Sequence, residues 1–84
     1  MRIYMQTPVI GNYPPRFYHL ILQKELIEGW TIVKESGYQG SPGRVRREHY
    51  DDRESAQAAL VATRDSLLKR GYRIVFARGQ ELPA

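Results

Sequence analysis

The chain contains no cysteine. That removes disulfides, thiolate nucleophiles and cysteine-ligated zinc together, and leaves folding to packing and hydrogen bonds. Histidine is nearly as scarce, with only His19 and His49 in 84 residues. No His/Asp/Glu grouping has a metal-ligand spacing, so no metal and no cofactor is expected. Long apolar runs are also missing. Nothing approaches the ~18 residues of a membrane span, and "MRIYMQTPVIGNYPPR" lacks the apolar core and cleavage site of a secretory signal. No membrane partner and a cytoplasmic location are expected.

What is present is an ordinary globular balance, 42% hydrophobic and 26% charged, in a chain long enough for one thin core. The formal net charge of +4 favours an acidic partner such as nucleic acid without requiring one.

Alternation predicts the strands. Residues 2–7, "RIYMQT", set Ile3 and Met5 against Tyr4 and Gln6 and read as a short strand at a sheet edge. "PVIGNYPP" is a connector, expected to lie across the surface and cover an edge or an apolar face. "RFYHLILQ" puts Tyr18, Leu20 and Leu22 on one face and Phe17, His19 and Ile21 on the other. "WTIVKE" returns antiparallel to it, and "RVRREHY" resumes after a glycine-rich loop. In that last strand Val45, Arg47 and His49 share one side, and Arg44, Arg46, Glu48 and Tyr50 the other. "DDRESAQAALVATRDSLLKRGY" is a helix, with Asp51 and Glu54 as a capping box, Lys69 and Arg70 at its negative end and Gly71 as the stop. Ala56, Ala59, Leu60, Thr63 and Leu67 form its inner stripe. Residues 72–77 give a final strand. The expected fold is α+β: a small antiparallel β-sheet of four to five strands with one long α-helix packed on one face.

In this order, "RFYHLIL", "EGWTIVKESG", "GSPGRVR", "HYDDRESAQAAL" and "LKRGYRIVF" resemble the WGR domain, named for a Trp-Gly-Arg triplet and found in poly(ADP-ribose) polymerases and in short bacterial proteins. The resemblance covers roughly residues 16–76, which sets the WGR-like domain at 16–78, with 1–15 as edge strand and connector and 79–84 as a flexible tail. It implies a DNA-binding accessory domain without catalytic activity, in which the signature tryptophan meets a DNA end and the signature arginine bridges to neighbouring domains. Here the triplet falls on Ser36, Gly37 and Tyr38, so only its glycine is kept. Trp30 occupies a separate position and is expected to pack.

No enzyme is expected from the residues themselves. Asp51, Asp52 and Glu54 precede a helix and are expected to cap it, and Ser36, Ser41 and Ser55 have no visible base. The loop matches neither a phosphate-binding nor a dinucleotide fingerprint, because a strand follows it. It is either an anion-holding hairpin flanked by Lys34, Arg44 and Arg46 with Tyr38 to stack on a base or sugar, or a tight turn. In the second case Gly37, Gly40 and Gly43 supply positive φ and the arginines blunt an exposed edge. Lys69, Arg70, Arg73 and Arg78 form a second basic group, which joins the first only if the sheet order brings them together. The candidate nucleic-acid contacts are Lys34, Tyr38, Arg44, Arg46, Arg47, Lys69 and Arg70. Two partners remain open: DNA held weakly and in a salt-dependent way, or a protein partner or second copy held by Phe17, Ile21, Val33, Val61 and Leu68.

Overall fold

The structure is a computed structural model and describes residues 1–79. The tail expected over 79–84 lies, from residue 80 on, outside the described residues. Five strands, β1 (Arg2–Gln6), β2 (Arg16–Lys24), β3 (Trp30–Tyr38), β4 (Arg44–Tyr50) and β5 (Arg73–Arg78), form one antiparallel sheet in the order β4-β3-β2-β1-β5. Helix α1 (Arg53–Lys69) packs across one face. The α+β expectation holds.

The expected position of β1 does not. It pairs with β2 on one side and β5 on the other, so it is an inner strand rather than an edge. Its two apolar residues explain the strand's burial: Ile3 and Met5 are both fully buried beneath the helix. The connector over 8–15 is likewise not a cover. It is the loop of the β1–β2 hairpin, and Val9, Ile10 and Tyr13 stand 70–80% exposed on it.

Leu20 and Leu22 of β2 and Ile32 of β3 join Ile3 and Met5 to meet Ala56, Leu60 and Leu67 of the helix. Small Ala56 lets the helix axis come close, and this contact is the core. Arg64, absent from the expected stripe, is also buried on the helix, its guanidinium 2.9 Å from Asp65. Trp30 packs against the core edge with the Arg53 guanidinium 5.6 Å from its ring centre, in keeping with a structural role.

Both helix ends bear on function. The N-cap is Asp52, whose carboxylate accepts from the Ser55 N–H at 2.7 Å, so the expected Asp51–Glu54 box is shifted by one residue. At the other end Gly71 has φ +96°, its N–H donates to the Leu68 carbonyl, and the Tyr72 N–H donates to that of Leu67. These two bonds make a Schellman stop. The chain reverses there and drives Tyr72 back into the core.

The two sheet edges are guarded differently. β4 carries four charged residues among its seven, whereas β5 presents Ile74, Val75 and Phe76 half-exposed but interrupted by a register shift at Val75. Charge and bulge each discourage pairing with another chain.

Candidate functional site

Strand β3 runs on through Tyr38, three residues beyond the strand expected from sequence. Ser36, Gly37 and Tyr38 therefore pair with Tyr18, Phe17 and Arg16 of β2 instead of lying in a loop. The true loop is short, 39–43, and only Gly40 in it has positive φ. Gly43 is there for closeness: a Cβ built on it would sit 3.0 Å from the Phe17 ring and 2.8 Å from the Glu35 side chain. The expectation that all three loop glycines supply positive φ is thus corrected. Two backbone donors of the loop are already committed, Gln39 N–H to the Pro15 carbonyl and Ser41 N–H to that of Tyr38. The Gln39 side chain also donates to Tyr4 and Gln6.

The cationic and hydroxyl-bearing side chains converge beside the loop rather than in it. Arg16 continues the series Tyr18, Leu20, Leu22, so it projects on the helix-bearing face, and the register sets it against Tyr38. Its backbone is pinned by the Thr7 hydroxyl, which accepts from the Arg16 N–H at 2.8 Å. The Schellman stop then brings Arg70 and Tyr72 to the same place. Arg16, Arg70, Tyr18, Tyr38, Tyr72 and Ser36, together with Gly37, line a cleft of about 380 Å³. The Arg16 guanidinium lies 5.8 Å from the Tyr38 ring centre and that of Arg70 5.9 Å from the Tyr72 ring centre. Tyr18 meets Tyr72 edge to face at 6.1 Å.

The electrostatics of the cleft are of one sign. None of its described lining residues is a carboxylate. Hydrogen bonding to the Tyr72 hydroxyl, with Tyr38 adding to it, raises the Arg16 pKa above its already high ordinary value, so the site keeps its charge at any physiological pH. Two guanidiniums and the hydroxyls around them are donors suited to a phosphate or another oxyanion.

The sequence-predicted residues divide among three places. Tyr38 and Arg70, from the two separate basic groups, meet in the cleft. Arg44 stands opposite Ser36 and Arg46 opposite Lys34 on the same face, both exposed, and extend the cationic surface along β4. Lys69 is exposed in the last helical turn. Lys34, in contrast, lies 3.0 Å from Glu48 and is largely covered, and Arg47 projects from the opposite face beside Val33. Arg16, Tyr18 and Tyr72 were missed. The parity of β2 pointed to Arg16, but nothing local could join it to the helix end.

Two other hollows among the described residues bring no such set of donors together. One of about 570 Å³ is a shallow trough along the outer helix face lined by Ala58, Val61 and Ala62 together with Glu54 and Asp65. Another of about 540 Å³ lies between Pro8 and Ile10 of the β1–β2 loop and Leu68 and Tyr72, with Arg70 shared with the cleft. His19 and His49 both project from the helix-free face, separated by β3, and among the described residues no group of His, Asp and Glu is placed to hold a metal ion.

Comparison with protein-family models, curated proteins and solved structures finds no match to this chain. The WGR resemblance rests on the residues quoted for it and on no wider similarity.

Proposed function

We propose that the protein is a non-catalytic, WGR-like binding domain that contacts the nucleic-acid backbone on the helix-bearing side of its sheet. The observation that supports this reading is the cleft at the signature position. Arg16 and Arg70 flank Tyr38 there without a carboxylate among the described lining residues, and Arg44 and Arg46 continue the positive surface. Arginine forks hold phosphate oxygens in two-point contacts, and a tyrosine ring beside them stacks on an exposed base or sugar. In place of the missing signature arginine, the cations beside Tyr38 come from the start of β2 and the end of the helix. The expected Gly-rich hairpin contributes its strand arginines rather than its loop amides.

The test is an anisotropy titration of a blunt duplex across a salt series. Binding should weaken steeply with salt, and the Arg16→Gln/Arg70→Gln double variant should flatten the dependence. Undetectable binding at ~50 mM salt, where backbone contacts are strongest, sinks the reading.

A second reading, a protein-interaction module or small homo-oligomer, draws on the β1–β2 loop, where Val9 and Ile10 are 70% and Tyr13 80% exposed. Sedimentation at rising protein concentration tests self-association directly. A strict monomer whose Ile10→Ser variant behaves as the wild type removes its basis.

A further inference from the structure

The helix-free face of the sheet is ordered as rows that cross the strands. One row reads Arg47, Val33, Ile21, Arg2 and Arg78 from β4 to β5, each residue paired with the next. The neighbouring row reads Val45, Glu35, His19, Tyr4 and Phe76. The first row has cations at both ends, Arg47 and the Arg2–Arg78 pair, and apolar side chains between them. Four interstrand steps separate Arg47 from Arg78, about 19 Å.

Two features of this face bear on what it could hold. Arg2 and Arg78 stand directly opposite each other on adjacent strands, an arrangement that repels. Neither has an ion pair or side-chain hydrogen bond among the described residues. Beside them the rings of Phe17, Tyr4 and Phe76 form an offset stack, with centroid steps of 6.1 and 5.7 Å and planes within 9° and 7° of parallel. Those steps are too short to admit another ring. The stack instead ends at the sheet edge, where among the described residues no strand lies beyond β5 and Phe76 is 41% exposed. A flat aromatic group added there extends the stack by one ring.

We infer that the helix-free face binds single-stranded nucleic acid, with the sugar-phosphate chain along the row from Arg47 to Arg78 and a base stacked on the outer face of Phe76. A phosphate between Arg2 and Arg78 turns their repulsion into a shared contact. Between the cations, Val33 is buried and Ile21 half-buried, so the expected use of Val33 as an exposed partner contact does not hold, and the chain passes over Ile21. A duplex fits poorly, because its bases are already stacked and cannot reach Phe76. A second copy fits poorly as well, since packing two such faces together sets arginine rows against each other with Glu35 as the one carboxylate within the two rows. The inference shares its ligand class with the proposed function and rests on a different surface, so the two fail separately.

The experiment is a pair of amide NMR titrations, one with an unlabelled eight-nucleotide thymidine strand and one with a blunt duplex. The protein is used as wild type, Phe76→Leu, Arg78→Gln and Arg70→Gln. Phe76→Leu keeps the apolar cover over Tyr4, so the fold is retained while the ring face is lost. The single strand should shift the amides of Tyr4, His19, Phe76 and Arg78. Phe76→Leu should weaken it about five- to tenfold, and Arg78→Gln should lower its log–log salt slope by about 0.7, both without effect on the duplex. Arg70→Gln should do the reverse. Single-strand shifts confined to Ser36, Tyr38 and Arg70, or an affinity indifferent to Phe76→Leu and Arg78→Gln, overturn the inference. So does a dimer that Phe76→Leu dissociates, because that makes a second copy the occupant. Duplex binding without single-strand binding ends this inference and leaves the cleft reading standing.

Discussion

The Lys34 ammonium lies 3.0 Å from the Glu48 carboxylate, diagonally across β3 and β4. The contact with Lys34 is the main reason the Glu48 pKa is lowered, with the Tyr50 hydroxyl assisting at 3.1 Å. A depressed carboxylate contributes stability above its unfolded pKa of about 4.5, and that contribution is lost as pH falls through the lower folded value. Lys34→Gln should therefore raise the Glu48 pKa and remove about 0.5 kcal/mol at neutral pH, a modest amount because Glu48 is screened by solvent. The same variant should weaken duplex binding less than Arg44→Gln, since Lys34 is engaged and Arg44 is not. Carboxyl NMR titration and parallel anisotropy measurements check both statements.

Within the cleft, each arginine that meets a phosphate contributes separately to counterion release. Arg16→Gln and Arg70→Gln should each lower the magnitude of the duplex log–log salt slope by about 0.9, and the double variant by about twice that. Equal slopes in wild type and double variant would mean that duplex contacts lie elsewhere.

On the other face, burial among the rings and then the nearby Arg2 charge lower the His19 pKa, with Glu35 acting in the opposite direction. The native state thus binds fewer protons than the unfolded chain just below pH 6.5, the ordinary value. Stability should be full above that pH and decline as pH drops from there toward the folded pKa. Imidazole NMR should find His19 titrating below the ordinary 6.5, and Arg2→Gln should move its value upward.

Asp52 and Asp51 are chemically alike and adjacent, yet only Asp52 caps the helix. Asp52→Ala should cost about 1 kcal/mol in urea unfolding, and Asp51→Ala a few tenths at most. The reverse order would restore the cap first expected from the sequence.

These residues also show what a linear reading reaches. The faces of β2 and β4 were legible because Tyr18, Leu20 and Leu22 alternate cleanly, and the helix because Gly71 marks its stop. The cap was misplaced by one position because Asp51-x-x-Glu54 and Asp52-x-x-Ser55 are both acceptable patterns, and only backbone geometry selects between them. The inner position of β1 was hidden, since Ile3 and Met5 alternate as they would at any place in a sheet. The cleft was hidden as well. Arg16 and Arg70 meet because the C-terminal end of the helix lies over the start of β2, a long-range result that no local spacing encodes.

Trp30, the single tryptophan, begins β3 at the end away from Tyr38, about 26 Å along the strand, and faces the helix rather than the open rows. With Arg53 poised over its indole, its emission should change when the helix leaves the sheet, yet a ligand at either proposed surface stays out of contact with it. The single indole thus reports whether the helix is seated on the sheet, so unfolding with and without a ligand can be followed on unlabelled protein by emission excited at the red edge of the indole band.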